Sequence, residues 1–286
     1  MIPLFTPADI APSPIRIGYD MPLLLLGSCF TDEVGTRLGR AGFDLSCNPF
    51  GTLYNPLSIA ACLQRAIDDS PIGEDELVCH DGLRHSWLHH GRFSHPDKEV
   101  CLSQCNDSIS QTHALLQRNP ILIITFGTAY VFRRQGLVVA NCHKLPSVQF
   151  QRSRLSVEEI VCAWKPFLSQ FSIIFTVSPI RHLADGAHGN RLSKSTLLLA
   201  TDELLKDAPD AGYFDSYEIL MDELRDYRFY ARDLCHPSDV AVDIVWERFQ
   251  QTFMTDSVRA QVAAHEKLFR QSQHRPIHQS IQPNNI

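Results

Sequence analysis

Apolar residues along this chain follow two alternating rhythms. Residues 23–26, 121–126 and 172–177 are short, nearly unbroken apolar runs, the pattern of strands covered on both faces of a parallel sheet. Between and after them, apolar positions return at helical spacing. Residues 31–41 place Val34, Leu38 and Ala41 on one face, and 56–67, about 103–118, 156–168 and 194–205 read the same way. A further helix is expected after His236, with Val240, Ile244, Trp246 and Phe249 turned inward. Leu45-Ser46-Cys47 reads as another short strand. Strands separated by helices of this length form βαβ crossovers. The layout therefore predicts an α/β fold, a three-layer α/β/α sandwich around a mostly parallel central sheet.

Two stretches break the rhythm. Residues near 77–100 and 130–146 read as hairpins or irregular insertions, the second turning at Arg134-Gln135-Gly136. Residues 1–20 carry several prolines and are expected to form an extended arm. The polar, aperiodic stretch 271–286 reads as a disordered tail. No repeat or linker divides 21–270, which is expected to be one domain.

Ligands of such sheets bind in the loops that follow the strands. Ser28 follows the first strand, Asn48 to Gly51 the Leu45-Ser46-Cys47 strand, Gly127-Thr128 the next, and Ser178 to His182 the last. Near the other end of the chain, Asp233 and His236 stand three residues apart. A hydroxyl, an imidazole and a carboxylate are the minimum set for acyl transfer. In that reading Ser28 attacks, His236 takes its proton, and Asp233 holds the imidazole in the working tautomer. Backbone N–H groups at Ser28 face the developing oxyanion.

Cys29 is a rival nucleophile. Neighbouring side chains at a helix start diverge by about 100°, so only one of the two can face the pocket. The sequence reading gives that place to Ser28 and packs Cys29 as a structural thiol. An enzyme dependent on Cys29 is kept as a third reading, beside a serine hydrolase and a catalytically idle binding module. His90, His143, Arg181 and His182 are candidate substrate-binding residues on the rim. The last three equally suit a role in fixing their loops, with Arg181 pairing Asp185 or Glu218. His85 and His89 have metal-ligand spacing, but the surrounding pattern is that of a hairpin, and no metal is expected. Residues 224–230 read as a buried ion-pair network that positions the Asp233 turn.

Composition narrows the picture. A net charge of -6 over 286 residues, with no basic block, argues against nucleic acid as a partner. Nine cysteines at irregular spacing read as reduced thiols. The N-terminus has no basic segment before an apolar stretch, and no apolar run approaches the roughly 18 residues of a membrane span. A cytoplasmic protein without a cofactor or membrane span is expected.

Several longer segments carry a resemblance. They are Gly27-Ser28-Cys29-Phe30, 48–56, Phe126-Gly127-Thr128, 141–146, 176–182, 224–230 and Asp233-Leu234-Cys235-His236-Pro237. On these the chain resembles the GSCFA-domain proteins of bacteria, which are similar to the SGNH (GDSL-like) hydrolase superfamily. Thr31 stands where the family name has alanine, and Asp215 where proline is usual. The resemblance implies a flavodoxin-like sheet and a serine esterase, acyl hydrolase or acyltransferase acting on an ester of a carbohydrate or small polar molecule. It implies Ser28, His236 and Asp233 as the triad, and Gly51 as an oxyanion donor. A second donor, an asparagine in a Gly-x-Asn-Asp block, is missing from Gly127-Thr128-Ala129. Thr128 or Asn141 is expected to take its place.

Overall fold

Leu23, Leu24, Leu25 and Leu26 are all fully buried, because both faces of their strand are covered. In the computed structural model, which describes residues 6–8, 12–206 and 208–273, this strand is β1 (Leu23–Gly27). It is followed by α1 (Cys29–Arg40), β2 (Leu45–Cys47) and α2 (Pro56–Ile67). Next come the hairpin β3 (Leu77–His80) and β4 (Leu83–Ser86), α3 (Lys98–Leu116) and β5 (Ile121–Phe126). β6 (Tyr130–Arg134), β7 (Leu137–Val139) and β8 (Gln151–Arg154) form a separate antiparallel sheet in the order β7-β6-β8. The chain then runs through α4 (Val157–Trp164), β9 (Ile173–Val177), α5 (Gly186–Leu205) and β10 (Ala211–Phe214). A short α6 (Ser216–Glu218) continues as a π turn, Ile219–Leu224, and α7 (Asp239–Phe253) and α8 (Asp256–Gln273) close the fold.

The central sheet has five strands in the order β10-β9-β5-β1-β2, every pair parallel. Counting only these strands along the chain, the order is 2-1-3-4-5, that of flavodoxin-like sheets. Alternate residues of β1 feed two separate cores. Leu24 and Leu26 pack with Cys62, Ile109, Trp164 and Leu197 from α2 to α5. Leu23 and Leu25 pack with Phe30, Leu38, Trp246 and Phe249 from α1 and α7. At about 1.5–3 kcal/mol for each large apolar side chain buried, these two layers dominate stability. Side-chain caps start several helices: Asn55 accepts from Ser58 N–H at 2.8 Å, and Ser156 forms a capping box with Glu159.

Several expectations are corrected here. The helix expected from 194 begins at Gly186; Gly186, Gly189 and Asn190 are poor helix formers and hide its first two turns. β10 contains Gly212 and was too short to announce itself. Val240 points to solvent, while Ala241, Val242 and Val245 carry the buried face of α7. Residues 225–228 are exposed, and among the described residues Asp226 pairs only with its neighbour Arg228, so the expected buried network is not found there. The expected tail starts inside α8, which reaches Gln273; its remainder, 274–286, lies outside the described residues. The described part of the arm contains no helix or strand, and it is tied to the end of α7 through Ser13 N–H to Thr252 O and Ile17 N–H to Phe253 O. Among the described residues no helix is long and apolar enough to cross a membrane.

One backbone feature aims the rim of the sheet. Gly27 has φ +150°, and a Cβ there would lie 2.3 Å from the carbonyl oxygen of Thr125 and 2.8 Å from Thr31 Oγ1. Only glycine lets β1 turn into α1 this close to β5. Gly27→Ala should lower the unfolding free energy by about 2–4 kcal/mol, read as a reduced urea midpoint. An unchanged midpoint would remove this constraint from the account.

Candidate active site

The loops after β1, β5 and β9 meet at one edge of the sheet, where they form a cleft of about 900 Å³. Cys29, Tyr54 and Thr128 line it on the sheet side, and Asp233 and His236 on the other. Phe132, Val139, Leu145 and Phe150 of the β6–β8 insertion supply an apolar wall.

The two chain ends do converge, but on the residue after Ser28. His236 Nε2 lies 3.6 Å from Cys29 Sγ. On its other side, His236 Nδ1 meets Asp233 Oδ2 at 2.6 Å. Ser28 is 1% exposed, its Oγ has no hydrogen-bond partner, and its Cβ packs at the open face of Gly127. The serine expected to attack is therefore turned into the protein, and the thiol expected to pack inside is half-buried at the cleft. The cause is the Gly27 turn. It makes Ser28 the cap position of α1 and Cys29 its first helical residue, which rotates the two side chains apart.

The imidazole is held by a self-contained turn. Asp233 Oδ1 accepts from the N–H groups of Cys235 and His236 at 2.9 and 3.0 Å. These two backbone bonds, His236 first, and the imidazole itself hold the Asp233 carboxyl down at about 2. Leu234 takes φ +58°, and Ala231 N–H closes the turn onto His236 O at 2.7 Å. Arg181 fastens the turn to the loop after β9: its N–H donates to Cys235 O and its guanidinium to Leu234 O. Arg181 pairs with neither Asp185 nor Glu218. Arg152 takes Asp185, and Tyr213 donates to Glu218.

Burial pushes the Cys29 thiol above its ordinary range, and Asp32 and Glu33 of the same helix add to this. The N–H groups of Cys29 and Phe30 act in the opposite sense, without reversing it. Cys29 and His236 thus meet with the thiol protonated at neutral pH.

The expected oxyanion donors fare worse. Ser28 N–H is spent on Thr125 O at 3.3 Å, and Gly51 N–H on Asn48 O at 2.8 Å. Gly51 is also covered by His90 and is not part of the cleft lining. Thr128 N–H bonds Tyr54 O, and its hydroxyl is shared between Ser193 Oγ and Tyr130 N–H. Asn141 lines the cleft; its Oδ1 accepts from His143 N–H.

Of the candidate binding residues, Arg181 and His182 line the cleft, while His90 and His143 do not. His143 is buried, stacked on His85 at 4.5 Å and bonded to Ser86 O at 2.8 Å. His90 caps a short turn and accepts from Arg92 N–H. His85 and His89 are likewise satisfied, by Ser94 and by Ser86 and Ser108. Among the described residues no set of three or more His, Cys, Asp or Glu converges as a metal site.

Two supporting residues were given no role by the sequence. Asn48, buried with φ +45°, accepts from Gly27 N–H and donates to Asp32, locking the turn that aims Cys29. Lys194, 1% exposed, donates to Gly127 O and Ser178 O at 2.7 and 2.6 Å, joining the ends of β5 and β9 beneath the cleft. A lysine in register with Leu197, Thr201 and Leu204 on the buried face of α5 was the signal that could have found it.

The defining sequence pattern of the GSCFA family matches residues 22–249. The chain belongs to the GSCFA family. This GSCFA chain is also similar to the Clostridium thermocellum family 3 carbohydrate esterase. The identity is 9%, covering 84% of this chain and 98% of that one, with a TM-score of 0.39. No curated protein matches the GSCFA chain.

Desolvation lowers Lys194 from 10.5 to about 7. The unfolded chain keeps this proton over a range where the folded chain has lost it, so this group makes stability rise with pH between those values. Lys194→Met should abolish that component. The stability of wild type relative to the variant should grow by roughly 1 kcal/mol per pH unit through the window, measured by urea unfolding. A difference independent of pH would contradict the assignment.

Proposed function

We propose that this protein is an acyl-transfer enzyme, a hydrolase or acyltransferase, whose nucleophile is Cys29, with His236 as general base and acid and Asp233 as its orienting carboxylate. The observation that carries it is the chain of contacts from Cys29 Sγ to His236 Nε2 and from His236 Nδ1 to Asp233, at the mouth of a parallel sheet. As the sulfur bonds to the carbonyl carbon of the substrate, His236 takes the thiol proton. The tetrahedral intermediate then expels the alcohol, which leaves with the proton from His236. Water or a second hydroxyl attacks the thioester as His236 takes its proton; the C–S bond then breaks, the acid or new ester is released, and His236 returns the proton to the Cys29 sulfur. The apolar wall of Phe132, Val139, Leu145 and Phe150 offers a surface for the acyl group.

A second reading, a binding module without turnover, is favoured by one observation. The N–H groups of Ser28, Gly51 and Thr128 are all engaged elsewhere. Removing one oxyanion donor typically costs about a hundred- to a thousandfold in rate. Turnover of nitrophenyl acetate or butyrate that disappears in His236→Ala would eliminate this reading.

The nucleophile is tested by paired substitutions. Cys29→Ala should abolish turnover and His236→Ala should lower it by about 10²–10⁴-fold, while Ser28→Ala retains it. Peptide-resolved alkylation by iodoacetamide should mark Cys29 and stop turnover, and a fluorophosphonate should label nothing at Ser28. Because burial holds this thiol protonated, its alkylation should keep accelerating above about pH 9, where an ordinary thiol levels off. Loss of turnover in Ser28→Ala with retention in Cys29→Ala would return the chemistry to the serine.

A further inference from the structure

A second cavity, of about 390 Å³, adjoins the cleft and shares Arg181, His182 and Leu183 with it. Three arginines line it from three separate elements: Arg181 after β9, Arg191 in α5 and Arg225 after the π turn. None of the three takes part in an ion pair among the described residues. Asp226, the one carboxylate in the lining, is already paired with Arg228 at 3.1 Å.

Arg181 lies over the rings of Tyr230 and Tyr227, 5.5 and 6.0 Å from their centroids. That stacking, with its bond to Leu234 O, holds the guanidinium in place. Burial raises the Tyr217 and Tyr230 hydroxyls above their ordinary range, and Arg191 acts against that rise in both. Arg225 adopts φ +37°, a conformation that costs energy for a side chain of this size. A chain of net charge -6 thus places three arginines, without ion-pair partners among the described residues, around one small concavity that adjoins the cleft. Guanidinium forks match the paired oxygens of phosphate, and like charges this crowded are relieved by an anion between them.

We infer that this pocket binds a phosphate group carried by the substrate, on the alcohol side of the ester whose acyl group enters the cleft. The cavities meet at Arg181 and His182, so one ligand can span from the arginines to Cys29. The place of the phosphate in catalysis rests on the acyl-transfer reading; the anion site itself does not.

Calorimetric titration of the full chain with inorganic pyrophosphate is the direct test. Wild type and Cys29→Ala should bind it alike, while Arg191→Gln and Arg225→Gln should each bind roughly tenfold more weakly. The affinity should also fall steeply with salt. Arg191→Lys, which keeps the charge but loses the fork, should fall between wild type and Arg191→Gln. No binding to wild type, or equal affinity in the arginine variants, would overturn the site.

A second arm separates a substrate phosphate from a free phosphate effector. The acetyl ester of a phosphorylated alcohol should show a KM about tenfold below that of the unphosphorylated ester. The preference should collapse in Arg191→Gln. Pyrophosphate binding without any such preference would overturn the substrate assignment. Failure of the acyl-transfer reading would look different: no ester would turn over in wild type while arginine-dependent pyrophosphate binding persisted.

Discussion

The close approach of β1 to β5 at Gly27 governs what this rim can do. With φ +150° and no Cβ, Gly27 sits against the carbonyl of Thr125, and Asn48 pins its N–H from the other side. The chain leaves the strand at an angle set by those two contacts. Ser28 is thereby turned against Gly127, and Cys29 becomes the first helical residue facing outward. A turn of about 100° separates burial from exposure at this point. Gly127 belongs to the same device, since a side chain there would meet Ser28 Cβ at 3.3 Å and Tyr54 O at 3.0 Å.

The opposite wall is built differently. His236 needs no element of the sheet to orient it, because Asp233 gathers two backbone N–H groups and the imidazole within four residues. What the fold must supply is placement, and Arg181 supplies it by bonding two carbonyls of the turn from the loop after β9. β9 is two strands away from β1, so register across β1, β5 and β9 sets the separation of thiol and imidazole. Lys194 ties the same two loops from below, through Gly127 O and Ser178 O. A buried lysine with carbonyl partners and no carboxylate is costly to charge, which explains why its proton is held loosely.

The sheet was legible in the sequence because its strands are covered on both faces, so 23–26 and 121–126 appear as unbroken apolar runs. The Asp233-x-x-His236 turn was legible because its interactions are local. Which of Ser28 and Cys29 meets the imidazole was not legible. Both are small polar residues beside the same glycine, and their fates differ only by the phase of the helix. The engagement of the backbone donors at Ser28, Gly51 and Thr128 was hidden for a related reason. A sequence names a backbone N–H but cannot say that Asn48 O or Tyr54 O already occupies it. Of the two roles open to His143, the structure shows the loop-fixing one, with its ring stacked on His85 and bonded to Ser86 O.

A thiol at this position also fits the environment better than a hydroxyl would. Serine is a weak nucleophile without a strong base and prepared oxyanion donors, and the donors expected at Ser28, Gly51 and Thr128 are spent on carbonyls of the fold. Cysteine is intrinsically more nucleophilic, and its proton is far easier to remove than that of an alcohol. Burial first, and then Asp32 and Glu33 on α1, oppose the thiolate, so in the proposed reaction the thiol gives up its proton only as it attacks. That arrangement places the burden on the imidazole being correctly aimed before the reaction begins. The short contact to Asp233 and the backbone bonds around it are the structural means of aiming it.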